Sequence, residues 1–101
     1  MKVGDLEMDL PRRIVQQNGK SIHLTRTEFD LLALMMQRPG TPIPHVQLLR
    51  SVWGPEYGNE LEYLRAYIRL LRRKIEADPS KPAYILTEPG VGYRFQDPLA
   101  G

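Results

Sequence analysis

Apolar residues between positions 59 and 77 recur with the period of an α-helix. Every third or fourth residue is aliphatic, which stacks the side chains in one stripe made of Leu61, Leu64, Ile68, Leu71 and Ile75. The opposite surface carries mostly basic residues, with Ala66, Arg69 and Arg73 at its centre, Glu62 and Leu70 beside them, and Arg65 and Arg72 along one edge. The pattern predicts a helix with a buried stripe and an exposed basic side.

Two explanations of this basic side remain open. A helix anchored by one side and basic on the other fits the major groove of DNA. Most amphipathic helices with several arginines are solvated surface helices, however, and Glu60, Glu62 and Glu76 are spaced for ion pairs with these arginines. Leu70 favours DNA, since an apolar side chain among arginines can pack on a thymine methyl group.

The first 36 residues predict a small sheet followed by a buried helix. Short alternating runs and the Asn18-Gly19 turn predict antiparallel strands over residues 1–24. Thr25 and Glu28 form a candidate capping box, after which the chain is apolar over most of a helical circumference. This helix should be the most buried element.

Proline and glycine divide the middle of the chain. Residues 42–44 (PIP) should be extended, because a residue before proline avoids the helical region. A short helix over residues 46–53 and a glycine- and proline-rich loop at 54–58 follow. Asn59, three positions before Glu62, is the predicted cap of the long helix.

Two strand-like runs close the chain. They flank Pro89-Gly90, which suits a type II turn, and predict a hairpin over residues 84–96. The order of elements is that of an α+β winged helix-turn-helix: an amino-terminal sheet, three helices and a carboxy-terminal wing. In that fold the third helix enters the major groove.

Composition narrows the class of protein. A chain of 101 residues predicts one domain over 1–101, with the sheet at 1–24, a three-helix core at 25–77 and the wing at 84–96. Absence of cysteine excludes disulfides and thiolate metal sites. There is no signal-peptide pattern and no apolar run that could cross a membrane, which predicts a cytoplasmic protein.

Charge distribution is more informative than net charge. The net charge of +2 does not imply nucleic acid, but residues 65–74 hold five cations and no anion. With two histidines and no triad-like spacing, we expect neither an enzyme nor a metal or other cofactor. The competing hypothesis is a winged-helix module that binds an acidic protein, and the salt dependence of duplex binding would separate the two.

Four segments resemble the DNA-binding domain of OmpR/PhoB-type response regulators and together span nearly the whole chain. They are residues 24–32 (LTRTEFDLL), 47–54 (QLLRSVWG), 67–75 (YIRLLRRKI) and 90–95 (GVGYRF). Residues 53–65 and 87–90 look closest to the KdpE branch, which regulates potassium-transport genes. The resemblance implies a four-stranded amino-terminal sheet, three helices, a wing, and sequence-specific binding of double-stranded DNA.

The resemblance also implies which residues contact DNA. Base contacts are implied at Arg65, Ala66, Arg69, Leu70 and Arg73. Phosphate contacts are implied at His45, Trp53, Tyr63, Tyr67, Arg72, Thr87 and Tyr93. For Arg69, a bidentate guanine contact competes with a phosphate contact or an intrahelical pair with Glu62. For Trp53, core packing competes with a phosphate bond from the indole nitrogen.

Two positions depart from the family pattern. Some members carry a minor-groove arginine in the wing turn, where this chain has Pro89 beside Glu88. That arginine contact is therefore excluded, and the acid makes close approach less favourable. Leu70 replaces an arginine that reads guanine in some members, so we expect a different preferred sequence, with a thymine contact here.

The resemblance implies partners besides DNA. Family members carry a receiver domain ahead of the DNA-binding domain, and two copies tend to bind direct repeats head to tail. We therefore expect a receiver domain in the full-length regulator, a head-to-tail dimer on DNA, and contact with RNA polymerase through residues 54–58. The chain is either an excised effector domain or a natural stand-alone version.

Overall fold

Strands and helices follow the predicted order. The computed structural model describes residues 1–99, so the last two residues of the predicted domain, 100 and 101, lie outside the described range. Residues 1–99 form seven strands and three helices. In chain order these are β1 Lys2–Val3, β2 Leu6–Asp9, β3 Ile14–Gln17, β4 Lys20–Ile22, α1 Arg26–Met36, β5 Pro42–Pro44, α2 His45–Trp53, α3 Leu61–Ile75, β6 Ile85–Glu88 and β7 Gly92–Phe95.

The amino-terminal sheet is four-stranded and antiparallel, with its strands in chain order, as predicted. Asn18 and Gly19 join β3 to β4 with φ values of 53° and 78°. A type I′ hairpin turn requires positive φ at both central residues, which explains why Asn-Gly stands here. Leu6, Met8 and Val15 are buried on the inner face of the sheet.

Helix α1 begins as its sequence predicts. The backbone nitrogen of Glu28 donates to Thr25 Oγ1 at 3.3 Å, and the backbone nitrogen of Thr25 donates to Glu28 Oε1 at 2.8 Å. This is the predicted capping box. Seven of the eleven residues of α1 are buried, so the helix forms the centre of the core.

The carboxy-terminal sheet has one strand more than the predicted hairpin. β5 pairs with β7, placing Ile43 opposite Tyr93 and Pro44 opposite Gly92. Pro42 and Pro44 lack an N–H group, which an edge strand tolerates because only one of its sides is paired. Strand β5 has only three residues, too few to show the alternation of polar and apolar side chains that predicts a strand.

Helix α3 starts later than predicted, and the expectation that Asn59 caps it is wrong. Glu60 occupies the N-cap position, without a side-chain capping bond. The Oε1 atom of Glu60 instead accepts hydrogen bonds from the backbone nitrogens of Gly58 and Asn59, both at 2.9 Å. The carboxylate therefore closes the preceding loop, and the helix covers residues 61–75 rather than 59–77.

The aliphatic stripe of α3 is buried as predicted. Leu64, Ile68, Leu71 and Ile75 lie in the core, and Leu61 packs against it half-buried. Burial of each such side chain contributes roughly 1.5–3 kcal/mol relative to exposure, so these contacts fix which side of α3 faces outward. Within the described residues, no helix has the length and apolar character needed to cross a bilayer.

Helix α3 is also tied to the start of α1 by an ion pair. Glu28 is buried, and Lys74 Nζ donates to its Oε1 atom at 2.7 Å. Burial alone would raise the pKa of Glu28, but hydrogen bonds from Lys74 and Thr25 outweigh it and hold the pKa below its ordinary value of 4.5.

The first prediction concerns Gly92. A Cβ atom at this position would overlap the backbone oxygen of Ile43 across the β5–β7 pair. We predict that Gly92→Ala lowers the free energy of unfolding by about 1–3 kcal/mol in urea denaturation. Gly58→Ala is the control, because its nearest neighbouring atoms lie at 3.8 Å or more. Equal midpoints for the two variants would contradict the described strand pairing.

The second prediction concerns pH. A carboxyl group with a lowered folded-state pKa stabilises the fold fully above its unfolded-state pKa, and this contribution is lost as the pH falls through the folded value. The difference in unfolding free energy between wild type and Glu28→Gln should therefore be largest near neutral pH and shrink below about pH 4.5. Urea titrations across this range measure it, and a constant difference would refute the role of the charged carboxylate.

Candidate nucleic-acid interface

The side of α3 that faces away from the core is exposed to solvent along most of the helix. Six of its exposed residues, here called the basic face, are Glu62, Arg65, Ala66, Arg69, Leu70 and Arg73. They include all five residues predicted to contact bases. The placement expected for these five side chains is thus observed, while their contacts with bases stay predictions.

Ion pairing on the basic face differs between its arginines. Arg65 Nη1 lies 2.8 Å from Glu62 Oε1, so the intrahelical pair considered for Arg69 is formed by Arg65 instead. Arg69 and Arg73 have no hydrogen-bond or ion-pair partner among residues 1–99. Their guanidinium groups are therefore available to an external acceptor.

Arg72 binds the hairpin formed by β6 and β7, residues 85–95, here called the wing. Its Nε and Nη2 atoms donate to the backbone oxygen of Ile85 at 3.1 and 2.8 Å, and Nη2 also donates to Thr87 Oγ1 at 3.0 Å. The guanidinium carbon lies 5.8 Å from the Tyr93 ring centroid. Burial lowers the pKa of Arg72 below its ordinary value, yet a guanidinium stays protonated at neutral pH. Nη1 has no partner in the described part of the chain.

Glu76 binds the same strand with the opposite charge. Its carboxylate is buried and accepts hydrogen bonds of 2.8–3.1 Å from the backbone nitrogens of Ala83, Tyr84 and Ile85. Arg72 and Glu76 stand one turn apart on α3, and we call them the clamp. Because the clamp holds β6 at two points, it fixes the angle between the basic face and the wing.

A cleft of about 350 Å³ separates α3 from the wing. Four arginines line it, together with Thr87 and Tyr93. Tyr93 is only 5% exposed, and the half-buried ring of His45 meets it edge-on at 5.6 Å. Four of the seven predicted phosphate contacts, at His45, Arg72, Thr87 and Tyr93, are thus gathered on one flank of the basic face.

The other three predicted phosphate contacts lie on the opposite flank. Tyr63 is 53% exposed, and Tyr67 packs edge-on against Trp53 at 5.2 Å. Trp53 packs against the core, yet its indole nitrogen has no acceptor among residues 1–99. Since every buried side-chain nitrogen and oxygen there has a partner, that nitrogen reaches solvent. Core packing and a phosphate bond are therefore compatible for Trp53.

Two charged residues considered in the sequence, Lys74 and Glu88, form ion pairs with other residues of the chain. Lys74 donates to Glu28 and to the backbone oxygen of His23 at 3.1 Å, so it does not belong to the basic face. On the wing, Arg94 Nε lies 2.6 Å from Glu88 Oε1, which weakens the repulsion expected between Glu88 and DNA. No cluster of metal-ligating side chains occurs within residues 1–99.

The wing turn has the predicted conformation. The backbone nitrogen of Val91 donates to the backbone oxygen of Glu88 at 3.0 Å, and Gly90 has a φ of 75°. With Pro89 ahead of this glycine, the geometry is that of a type II turn.

Comparison with known proteins identifies the family. A family model described as "Transcriptional regulatory protein, C terminal" matches residues 19–95. The chain belongs to this family. Its members are the DNA-binding domains of OmpR/PhoB-type response regulators, so the resemblance of the four sequence segments and the winged-helix fold are both confirmed.

Individual relatives agree with this assignment. KdpE of Mycobacterium tuberculosis is 45% identical over 89 residues, which cover 88% of this chain and 39% of KdpE. This chain therefore spans well under half the length of that relative. The DNA-binding domain of Klebsiella pneumoniae RstA, in complex with the RstA box, superposes with a TM-score of 0.88 at 26% identity over 96% of each chain. DrrB of Thermotoga maritima, an OmpR/PhoB homolog, gives 0.86 at 34% identity over 95% of this chain and 43% of DrrB.

The structure also contains functional residues that sequence analysis missed. Glu76 was considered only as an ion-pair partner of arginines, whereas its carboxylate binds backbone amides of a distant segment. An acid near a helix carboxy terminus is electrostatically unfavourable, which is a weak sign of another role. Its partners could not have been named from local sequence.

The third prediction tests the clamp. Glu76→Ala removes the acceptor of three backbone amides and should lower the free energy of unfolding by about 1–3 kcal/mol. Glu76→Gln keeps one acceptor oxygen and should lose less, and the exposed Glu56→Ala serves as control. Hydrogen exchange of the amides of residues 83–85 should accelerate in Glu76→Ala. Unchanged protection there would show that the carboxylate is not their partner.

Proposed function

We propose that this chain is the effector domain of a two-component response regulator and binds a specific double-stranded DNA sequence in transcriptional regulation. Helix α3 enters the major groove, and the wing lies along the neighbouring backbone. One observation carries the proposal: Arg69 and Arg73 are exposed and, within residues 1–99, unpaired, on a face with candidate phosphate contacts on both sides.

The two flanks support insertion into a groove. Tyr63 and Arg72 are nine residues apart, which at 100° per residue places them on opposite sides of α3. The major groove is about 12 Å wide and bordered by one phosphate backbone on each side, so it accepts a helix with hydrogen-bond donors on both flanks. A surface that bound an acidic protein would not require this two-sided arrangement.

Each residue of the interface then has a chemical role. Arg69 donates two parallel hydrogen bonds to guanine, a geometry that lysine cannot reproduce. Leu70, 39% exposed, packs on a thymine methyl group. Arg65, Ala66 and Arg73 complete the set of base contacts.

Phosphate contacts come from both flanks. His45 stands at the first position of α2, where the helix amino terminus favours an anion. Arg72 reaches a phosphate through Nη1 while its other donors hold the wing. Thr87 and Tyr93 join it on that side, and Trp53, Tyr63 and Tyr67 act on the other.

The finer assignments belong to the same proposal. Similarity to KdpE supports regulation of potassium-transport genes. We propose a cytoplasmic location, which the proposed binding of DNA supports. The receiver domain of the full-length regulator is a further partner. Two copies bind DNA head to tail, which a gel-shift titration on one and two half-sites tests. The loop at 54–58, with exposed Pro55 and Glu56, contacts RNA polymerase.

The fourth prediction tests sequence-specific binding. Duplexes selected from a random pool by the wild type should be bound more tightly than random duplex, and log affinity should fall linearly with log salt. Arg69→Ala should reduce this discrimination by about 1–3 kcal/mol. Arg38→Ala is the control, since it removes an equal charge from an exposed site outside α3. Equal binding of selected and random duplex by the wild type would overturn the proposed function.

A further inference from the structure

The basic face also contains an acid, beside its central residues. Glu62 precedes Arg69 by seven residues, which at 100° per residue puts the two side chains within about 20° of each other around α3. The Glu62 side chain is 85% exposed, and its Oε1 atom pairs with Arg65 Nη1 at 2.8 Å. An approach that lays the basic face along DNA therefore brings Glu62 to DNA together with Arg69.

The position of Glu62 decides which part of DNA it meets. The candidate phosphate contacts lie on the flanks of α3, at Tyr63 on one side and Arg72 on the other. Glu62 lies between them, in the first turn, and the first residues of a recognition helix commonly reach base edges. A carboxylate is repelled by phosphate, so only hydrogen-bond donors on base edges suit it.

Only one base presents a major-groove donor that suits a carboxylate. In the major groove, donors are presented by the N4 amino group of cytosine and the N6 amino group of adenine. The adenine amino group lies beside the N7 acceptor, which repels a carboxylate. Cytosine lacks such a neighbour, and its partner guanine presents the O6 and N7 acceptors that a guanidinium binds.

We propose that Glu62 is a specificity-determining residue that, together with Arg65, selects a C·G base pair. Glu62 accepts a hydrogen bond from cytosine N4, and Arg65 donates to the guanine of the same pair. The ion pair in the free protein holds the acceptor and the donor side by side before DNA arrives. This inference rests on the proposed function, since it requires α3 in the major groove.

Selection from a random duplex pool tests the proposal with the full chain. The wild type should show one position where C·G is preferred about tenfold, and Glu62→Ala should lose that preference alone. Glu62→Gln should shift the same position towards adenine, because a glutamine amide matches adenine N6 and N7. Glu7→Gln removes an exposed acid from strand β2 and controls for the change in net charge.

A modified base gives an independent readout. N4-methylcytosine keeps Watson–Crick pairing but replaces the hydrogen that faces the major groove with a methyl group. Placed at the selected position, it should weaken wild-type binding about tenfold and leave Glu62→Ala unaffected. Urea denaturation of each variant verifies that it is folded.

The outcomes separate this inference from the proposed function. If Glu62→Ala changes the affinity for all duplexes by one factor, as Glu7→Gln does, Glu62 acts only through its charge and the inference is overturned. Insensitivity of the wild type to N4-methylcytosine would overturn it as well. Failure of the wild type to discriminate any sequence would instead remove the proposed function.

Discussion

The clamp between α3 and β6 sets the geometry on which the candidate interface depends. Burial of the aliphatic stripe fixes the rotation of α3 about its axis, but hydrophobic contact is not directional and does not by itself set the angle between α3 and the wing. Arg72 and Glu76 supply the missing direction through hydrogen bonds to backbone atoms of residues 83–85. Because most of these partners are backbone groups, the hydrogen bonds of the clamp depend little on which side chains this segment carries. Thr87 is the exception, since its hydroxyl is itself a partner of Arg72.

Fewer cations of α3 are free to bind an external group than the sequence suggests. Of the five cations between residues 65 and 74, Lys74 and Arg72 have partners inside the protein, and Arg65 is paired on the surface. Few unpaired cations limit the counterion release that drives non-specific binding. In the proposed complex, discrimination between sequences therefore depends mainly on contacts with base edges.

Local features of the fold could be predicted from sequence, and contacts between distant segments could not. The capping box at Thr25, the Asn18-Gly19 turn and the α3 stripe depend on neighbours within a few residues, so periodicity and turn chemistry reveal them. Strand β5, the Lys74 ion pair and the amides bound by Glu76 depend on segments that meet only in the folded chain. Asn59 is a plausible cap by residue type. In the structure, however, Glu60 is the N-cap residue, and its side chain accepts hydrogen bonds from the backbone nitrogens of Gly58 and Asn59.

The tip of the wing carries few groups that could contact base edges. Its turn carries Pro89 in place of a minor-groove arginine, and Glu88 is neutralised by Arg94 on the neighbouring strand. The tip is therefore uncharged and offers only the 46% exposed Val91 as a large apolar contact. Polar groups of the wing lie at its base instead, where Thr87 meets Arg72 in the cleft. In the proposed complex, such a wing orients the protein on the phosphate backbone, and sequence preference depends on the exposed face of α3.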